Sequence, residues 1–220
     1  MSPSRAHFAR ELAQLTEDVL HLGSMARHAV AQALQALLAR DSDLAREVIA
    51  ADPAINRLRY DVEAECYTLL ATEQPVARDL RDVVSALTVA QDLERIGDHG
   101  KKIARICLRM EIETKAIPFG DLPRLGEMAL ALLDRALQAY ATSDTAEAQV
   151  ICRDDDAVDA LYKQSFNAIL AYMLERPRWI GAGTQLIQVM HELERVADRA
   201  TNVAERVVYS VTGELIDLNV

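Results

Sequence analysis

The chain of 220 residues predicts an all-α fold built from two tandem, sequence-related three-helix bundles, six long helices in all. Three observations carry that expectation. The apolar half of the composition is dominated by Ala, Leu and Val, with Phe, Tyr and Trp at only 5%, and Ala and Leu are strong helix formers. Breakers are scarce, with 8 Gly and 6 Pro. The chain also matches itself when slid by 103 positions: "LGSM" from Leu22 lies over "LGEM" from Leu125, and "ALQA" from Ala33 over "ALQA" from Ala136. Asp41 then falls on Asp144, Asp52 on Asp155, Ile55 on Val158 and Leu58 on Leu161. Such self-similarity is the signature of a repeated structural unit.

The elements follow in order. Leu15, Val19, Leu22, Met25, Val30, Leu34, Leu37 and Leu38 recur at helical spacing and define the first helix. "RDSD" at 40–43 breaks it, and its Asp and Ser residues suit the cap of the next. "ADPAINRLRYDVEAECYTLLA" supplies the second helix, in which Pro53 is expected near the start or at a kink. "EQP" ends it. "VARDLRDVVSALTVAQDLERIGDHGKKIARICLRM" is a long third helix carrying Gly97 and Gly100. A Gly in mid-helix costs about 1 kcal/mol against Ala, so close packing or close backbone approach is the expected reason for each. "IETKAIPFGDLP" at 112–123 reads as the linker, placing the first bundle in 1–111 and the second in 124–220, with "SVTGELIDLNV" as an unassigned tail. Short connections imply antiparallel neighbours.

Charge and cysteine usage narrow the function. A formal net charge of −10 opposes an extended nucleic-acid footprint and leaves a local basic patch as the only route to an anionic membrane surface. No stretch approaches the ~20 apolar residues of a spanning helix. The N-terminal "MSPSRAHFARELAQL" lacks a secretory h-region, and Cys66, Cys107 and Cys152 are odd in number and far apart. The expectation is a cytoplasmic protein with reduced thiols.

The densest chemistry lies in "QDLERIGDHGKKIARI" (91–106) and "MHELERVADRATNVAERV" (190–207), both containing Leu-Glu-Arg-x-x-Asp. In a helix Glu94 and Asp98 share one face, as do Glu194 and Asp198, and like charges at i,i+4 repel. With 34 acidic residues, about five such pairs are expected by chance, so the information lies in the longer match at corresponding places of two repeats. Counting from each helix corner, Asp52 and Asn56 come level with Glu94, and Asp155 and Asp159 with Asp198 and Asn202, because antiparallel helices rise equally per residue. Converging carboxylates and amides suit hard cations such as Mg²⁺, Mn²⁺ or iron, with Zn²⁺ through carboxylates and His99 a further option. The competing reading is a solvated face on which Glu94 and Asp98 pair with Arg95, Lys101 and Lys102. A carboxylate-bridged metal-dependent bundle enzyme is a third, but the Glu-x-x-His signature of di-iron bundles is missing near either motif, the acid-x-x-His spacing occurring only at Asp18–His21. No phosphate loop, nucleophile elbow or Cys–His pair is apparent, so no catalytic residue is assigned.

These features together resemble the PhoU family of phosphate-signalling proteins. "QPVARDLRDVVSALTVAQDLERIGDHGKKIA" (74–104) is similar to that family's characteristic segment and "HELERVADRATNVAE" (191–205) to its second-half counterpart, with similarity running from about Leu12 to Val211. The resemblance implies a cytoplasmic accessory protein of phosphate-specific transport and a negative regulator of the phosphate-starvation response. Its implied partners are the ATPase subunit of the phosphate ABC transporter and a membrane-bound sensor histidine kinase, so that it meets the membrane only through them; members are often homodimers. Some members bind divalent or trivalent metal ions (Fe, Mn, Zn or Mg) at E/D-x-x-x-D motifs. Carried onto this chain, the ligands are Glu94, Asp98, Glu194 and Asp198, with Asn202 at the family's usual Asn and Lys102 at the corresponding first-half place. "DHGKK" is more basic than the family pattern, and Ala197 and Arg199 replace its usual Gly and His. A plain helical scaffold without metal remains the alternative.

Overall fold

The computed structural model describes residues 3–110 and 120–214. Six α-helices follow one another: α1 (Pro3–Ala39), α2 (Ser42–Glu73), α3 (Ala77–Arg109), α4 (Leu122–Thr142), α5 (Thr145–Glu175) and α6 (Ile180–Thr212), with a single 3₁₀ turn at Pro177–Trp179 before α6. The described residues contain no strand, as the composition predicts. Most of the linker expected at 112–123 lies outside the described residues, as does the end of the C-terminal tail; α4 begins at Leu122.

Local chemistry repeats between the halves. Asp41 caps α2 by accepting from the Asp43 and Leu44 amides at 3.0 Å each. Its counterpart Asp144 caps α5 through the Ala146 and Glu147 amides at the same distances. Each cap satisfies donors that a helix start leaves orphaned. α2 ends where Gln74 turns left-handed, with φ 48° and ψ 54°, ahead of Pro75. Pro53 sits well inside α2 rather than in its first turn, so the Ile49 carbonyl lacks its usual i+4 donor.

Each half is a three-helix bundle, and one continuous core of Ala, Leu, Val and Ile runs through both. Across the junction, α3 lies antiparallel to α6: Arg81 reaches the Ser210 carbonyl, Arg199 reaches Asp92, and His99 meets Glu192. α1 likewise opposes α4, tied by Arg27 Nε to Asp134 Oδ1 at 2.8 Å. The α1–α4 contact is reciprocal. A Cβ on Gly23 would stand 2.4 Å from Leu137 Cδ2, and one on Gly126, the repeat counterpart of Gly23, 2.2 Å from Leu34 Cδ2. Leu34 and Leu137 are themselves counterparts, so the halves meet about a pseudo-two-fold axis, the isologous geometry of a C2 dimer written into one chain. In consequence the α2–α3 and α5–α6 corners lie at opposite ends of the molecule.

The mid-helix glycines of α3 have the expected cause. A Cβ on Gly100 would lie 2.9 Å from backbone atoms of Ala29 and Val30 on α1. One on Gly97 would lie 3.0 Å from the Ile55 side chain on α2. α3 is thereby pressed against both neighbours at the level of the first acidic motif.

Candidate metal centre

The second-half motif brings its acids together. One oxygen from each of Asp159 on α5 and Glu194 and Asp198 on α6 lies within 4.8 Å of the other two. Asp155, one turn before Asp159 on α5, is only 8% exposed. Burial, followed by repulsion from Asp198, Asp159 and Glu194, pushes the Asp155 carboxyl up to about 7. Burial and then Asp198 raise Glu194, and burial and then Asp159 raise Asp198. Glu194 Oε2 is buried without a hydrogen bond; His191 Nδ1, 3.1 Å away, is an ion-pair partner when protonated. A buried carboxylate oxygen without a hydrogen bond is costly, and the three oxygens of Asp159, Glu194 and Asp198 are hard donors of the kind a divalent cation takes. The donor set therefore fits a metal ion.

The first-half motif is arranged differently. Asp52 accepts from Lys101 Nζ at 2.5 Å and from Asn56 Nδ2 at 3.1 Å. Arg95 lies 3.6 Å from Glu94 and 3.5 Å from Asp98. Burial and then the Asp98 charge raise Glu94, which lines a cleft of about 550 Å³ with Arg59, Arg95, Arg199 and Arg206. Aligned on the repeat, Asn56 replaces Asp159, Arg59 replaces Tyr162, Lys101 replaces Thr201 and Lys102 replaces Asn202. One acid is exchanged for an amide and three neutral residues for cations. The place beside Asp52 that a cation would take is held by the chain's own ammonium group.

Several contacts depart from the solvated-face reading. Arg95 does stay with Glu94 and Asp98, but Lys101 crosses to Asp52 and Lys102 reaches Glu192 at 3.3 Å on the other half. His99 is not a surface residue: it is 3% exposed, its Nδ1 stands 2.5 Å from Glu192 Oε2, and burial lowers its pKa despite that carboxylate. Asn202 is turned toward Asp92, at 3.5 Å, beside the Arg199–Asp92 pair at 2.7 Å, and away from the acid cluster. The sequence reading missed Glu192 and Asp92, and took Arg199 only as a departure from the family pattern. Glu192 and Asp92 are themselves repeat counterparts, at the 100-residue offset of the motifs, and each faces across the α3–α6 junction. That correspondence was the signal available.

Comparison with known proteins agrees with the two-repeat helical architecture. The PhoU domain model matches twice, over residues 19–107 and 122–207. The chain is 38% identical over 211 residues to the phosphate-specific transport system accessory protein PhoU homolog of Caulobacter vibrioides, covering 94% of this chain and 90% of the relative. It is 34% identical over 217 residues to the protein of the same description in Clostridium acetobutylicum, covering 98% and 99%. Among solved structures, PhoU from Pseudomonas aeruginosa superposes with a TM-score of 0.90 at 34% identity, covering 94% of this chain and 100% of that one. The phosphate transport system regulatory protein PhoU from Streptococcus pneumoniae gives 0.88 at 34% identity, covering 96% and 99%. With two matched repeats spanning nearly its whole length, the chain belongs to the PhoU family.

Proposed function

We propose that this protein is an accessory regulator of phosphate uptake, acting as an adaptor between the ATPase subunit of a phosphate ABC transporter and a sensor histidine kinase, and restraining the phosphate-starvation response when phosphate is plentiful. The observation that carries this reading is the full-length, two-repeat match to proteins named as accessories of phosphate-specific transport. Two related but chemically unequal faces suit an adaptor, because each can be biased toward a different partner. None of the described helices is long and apolar enough to cross a membrane, so a place beside a transporter is reached by docking.

Metal binding forms part of the proposal, in the second half only. Asp159, Glu194 and Asp198 would each supply one oxygen, with Asp155 as an additional acid. A bound divalent ion neutralises charges that otherwise repel across α5 and α6, and so rigidifies the docking face. On the first half, Lys101 and Asn56 at Asp52, with Arg95 beside Glu94 and Asp98, supply that neutralisation without metal. The reading is tested in a strain deleted for the gene and carrying a phosphate-starvation reporter. Constitutive reporter expression in high phosphate, reversed by the wild-type gene, is expected; normal repression in the deletion strain refutes it. Co-purification of the ATPase subunit and the kinase with a tagged chain tests the two partners separately.

A further inference from the structure

We propose that the α5–α6 corner is a membrane-surface contact, a shallow apolar and cationic tip that seats on anionic phospholipid. At this corner Leu174 is 76% exposed, Ile180 51% and Leu170 40%. Leu170 and Leu174 share a face of α5 one turn apart, and Ile180 follows across the 3₁₀ turn. Trp179 packs partly against the core beside them. Arg176 lies over the Tyr172 ring at 4.6 Å and Arg178 over the Trp179 ring at 5.2 Å, which holds both guanidinium groups at the rim of the apolar surface.

Comparison of the repeats sharpens the point. Aligned on Pro75 and Pro177, the first-half corner carries Arg78, Asp79, Arg81 and Asp82 where the second has Ile180, Gly181, Gly183 and Thr184. Between Lys163 and Glu192 the only charged residues are Glu175, Arg176 and Arg178, a local balance of +1 in a chain of net charge −10. Two acids and two cations of the first corner thus give way to uncharged residues, while Arg176 and Arg178 stand where the first corner has Gln74 and Val76. Glu175 is the one acid left, paired with Arg176 at 2.8 Å. Both corners expose aliphatic side chains, Val76 and Leu80 in the first and Leu170, Leu174 and Ile180 in the second. The surface spans a single helix corner, far short of the roughly 20–30 residues a side of a standard protein interface. Aliphatic side chains entering the headgroup region, with Trp at the boundary and Arg facing phosphate, make an interfacial anchor. With Glu175 paired to Arg176, the corner carries one net positive charge and supplies only a modest electrostatic attraction, so the contact is weak and reversible. It would orient the molecule beside a membrane-bound partner without holding it there alone.

Trp179 is the only tryptophan in the chain, so intrinsic fluorescence reports directly on the tip. The full-length protein is titrated with vesicles of 30 mol% phosphatidylglycerol in phosphatidylcholine, and with pure phosphatidylcholine, in low and high salt, with sedimentation in parallel. A blue shift and co-sedimentation with the anionic vesicles, weakened by salt, are expected. Leu174→Asp is expected to reduce vesicle partitioning by roughly tenfold or more. Arg176→Gln with Arg178→Gln is expected to remove the preference for anionic lipid. Both substitutions lie on exposed positions, and helical circular dichroism checks that the fold is retained. Absence of binding to either vesicle, or binding unchanged by Leu174→Asp, overturns the proposal. So does light scattering that shows a dimer converted to monomer by Leu174→Asp, which would make a second copy the occupant.

Discussion

Replacing Asp155 by Asn tests the electrostatics of the second acidic cluster without touching the three converging oxygens. The Asp155 carboxyl is raised from its ordinary 3.8 to about 7 by burial and by Asp198, Asp159 and Glu194. A raised folded-state value means the native protein holds the proton more tightly than the unfolded chain. The resulting stabilisation is therefore complete below about pH 4 and is lost as pH climbs toward 7. A displacement of that size corresponds to a ceiling of about 4 kcal/mol of native-state destabilisation once the group ionises, and neighbours that share the proton reduce it. Urea denaturation of chelator-treated protein at pH 4 and pH 8 reads the effect. We expect the Asn variant to exceed wild type by roughly 2–4 kcal/mol at pH 8 and to differ little at pH 4. A stability difference independent of pH would refute the account, since it would place Asp155 in a site that tolerates its charge.

Other perturbations follow from the same geometry. Lys101→Met leaves Asp52, whose side chain is 7% exposed, buried with only Asn56 for company. Removing one partner of such a pair is expected to cost about 3 kcal/mol in chemical denaturation at pH 7, and the additional change Asp52→Asn to recover most of it. Gly100→Ala is expected to destabilise by roughly 1–3 kcal/mol or more, because the new methyl meets α1 backbone that cannot retract. Gly97→Ala should cost less, since the Ile55 side chain can shift. Asp41→Ala and Asp144→Ala each remove a helix cap and should lower stability by about 1 kcal/mol apiece, nearly additively because the caps are independent.

The architecture was legible because repetition, helical periodicity and punctuation all agreed. "RDSD" did place the cap at Asp41, "EQP" did end α2, and Gly97 and Gly100 did mark close helix contacts. Antiparallel counting from the corners also brought Asp159 level with Asp198. The way the halves join was not legible. His99 follows Asp98 and points off the acid face, but whether that direction meets solvent or Glu192 depends on the pairing of α3 with α6, which spacing within either half does not reveal. The inequality of the two acidic sets was visible in part as the basic "DHGKK". Its consequence was not, because Lys101 has a long, rotatable side chain and helix 2 offered it a buried carboxylate one helix away. Pro53 was expected near the helix start or at a kink; it lies inside α2, where tertiary packing of α2 against α3 outweighs one lost hydrogen bond.

The account turns on the two acidic sets being unequal: one open to a cation, the other closed by the chain's own lysine. Isothermal titration of Mn²⁺ into chelator-stripped protein compares wild type with two double variants, Glu94→Gln with Asp98→Asn and Glu194→Gln with Asp198→Asn. Binding should survive the first pair and disappear with the second. Loss of binding with the first pair, or retention with the second, would contradict it.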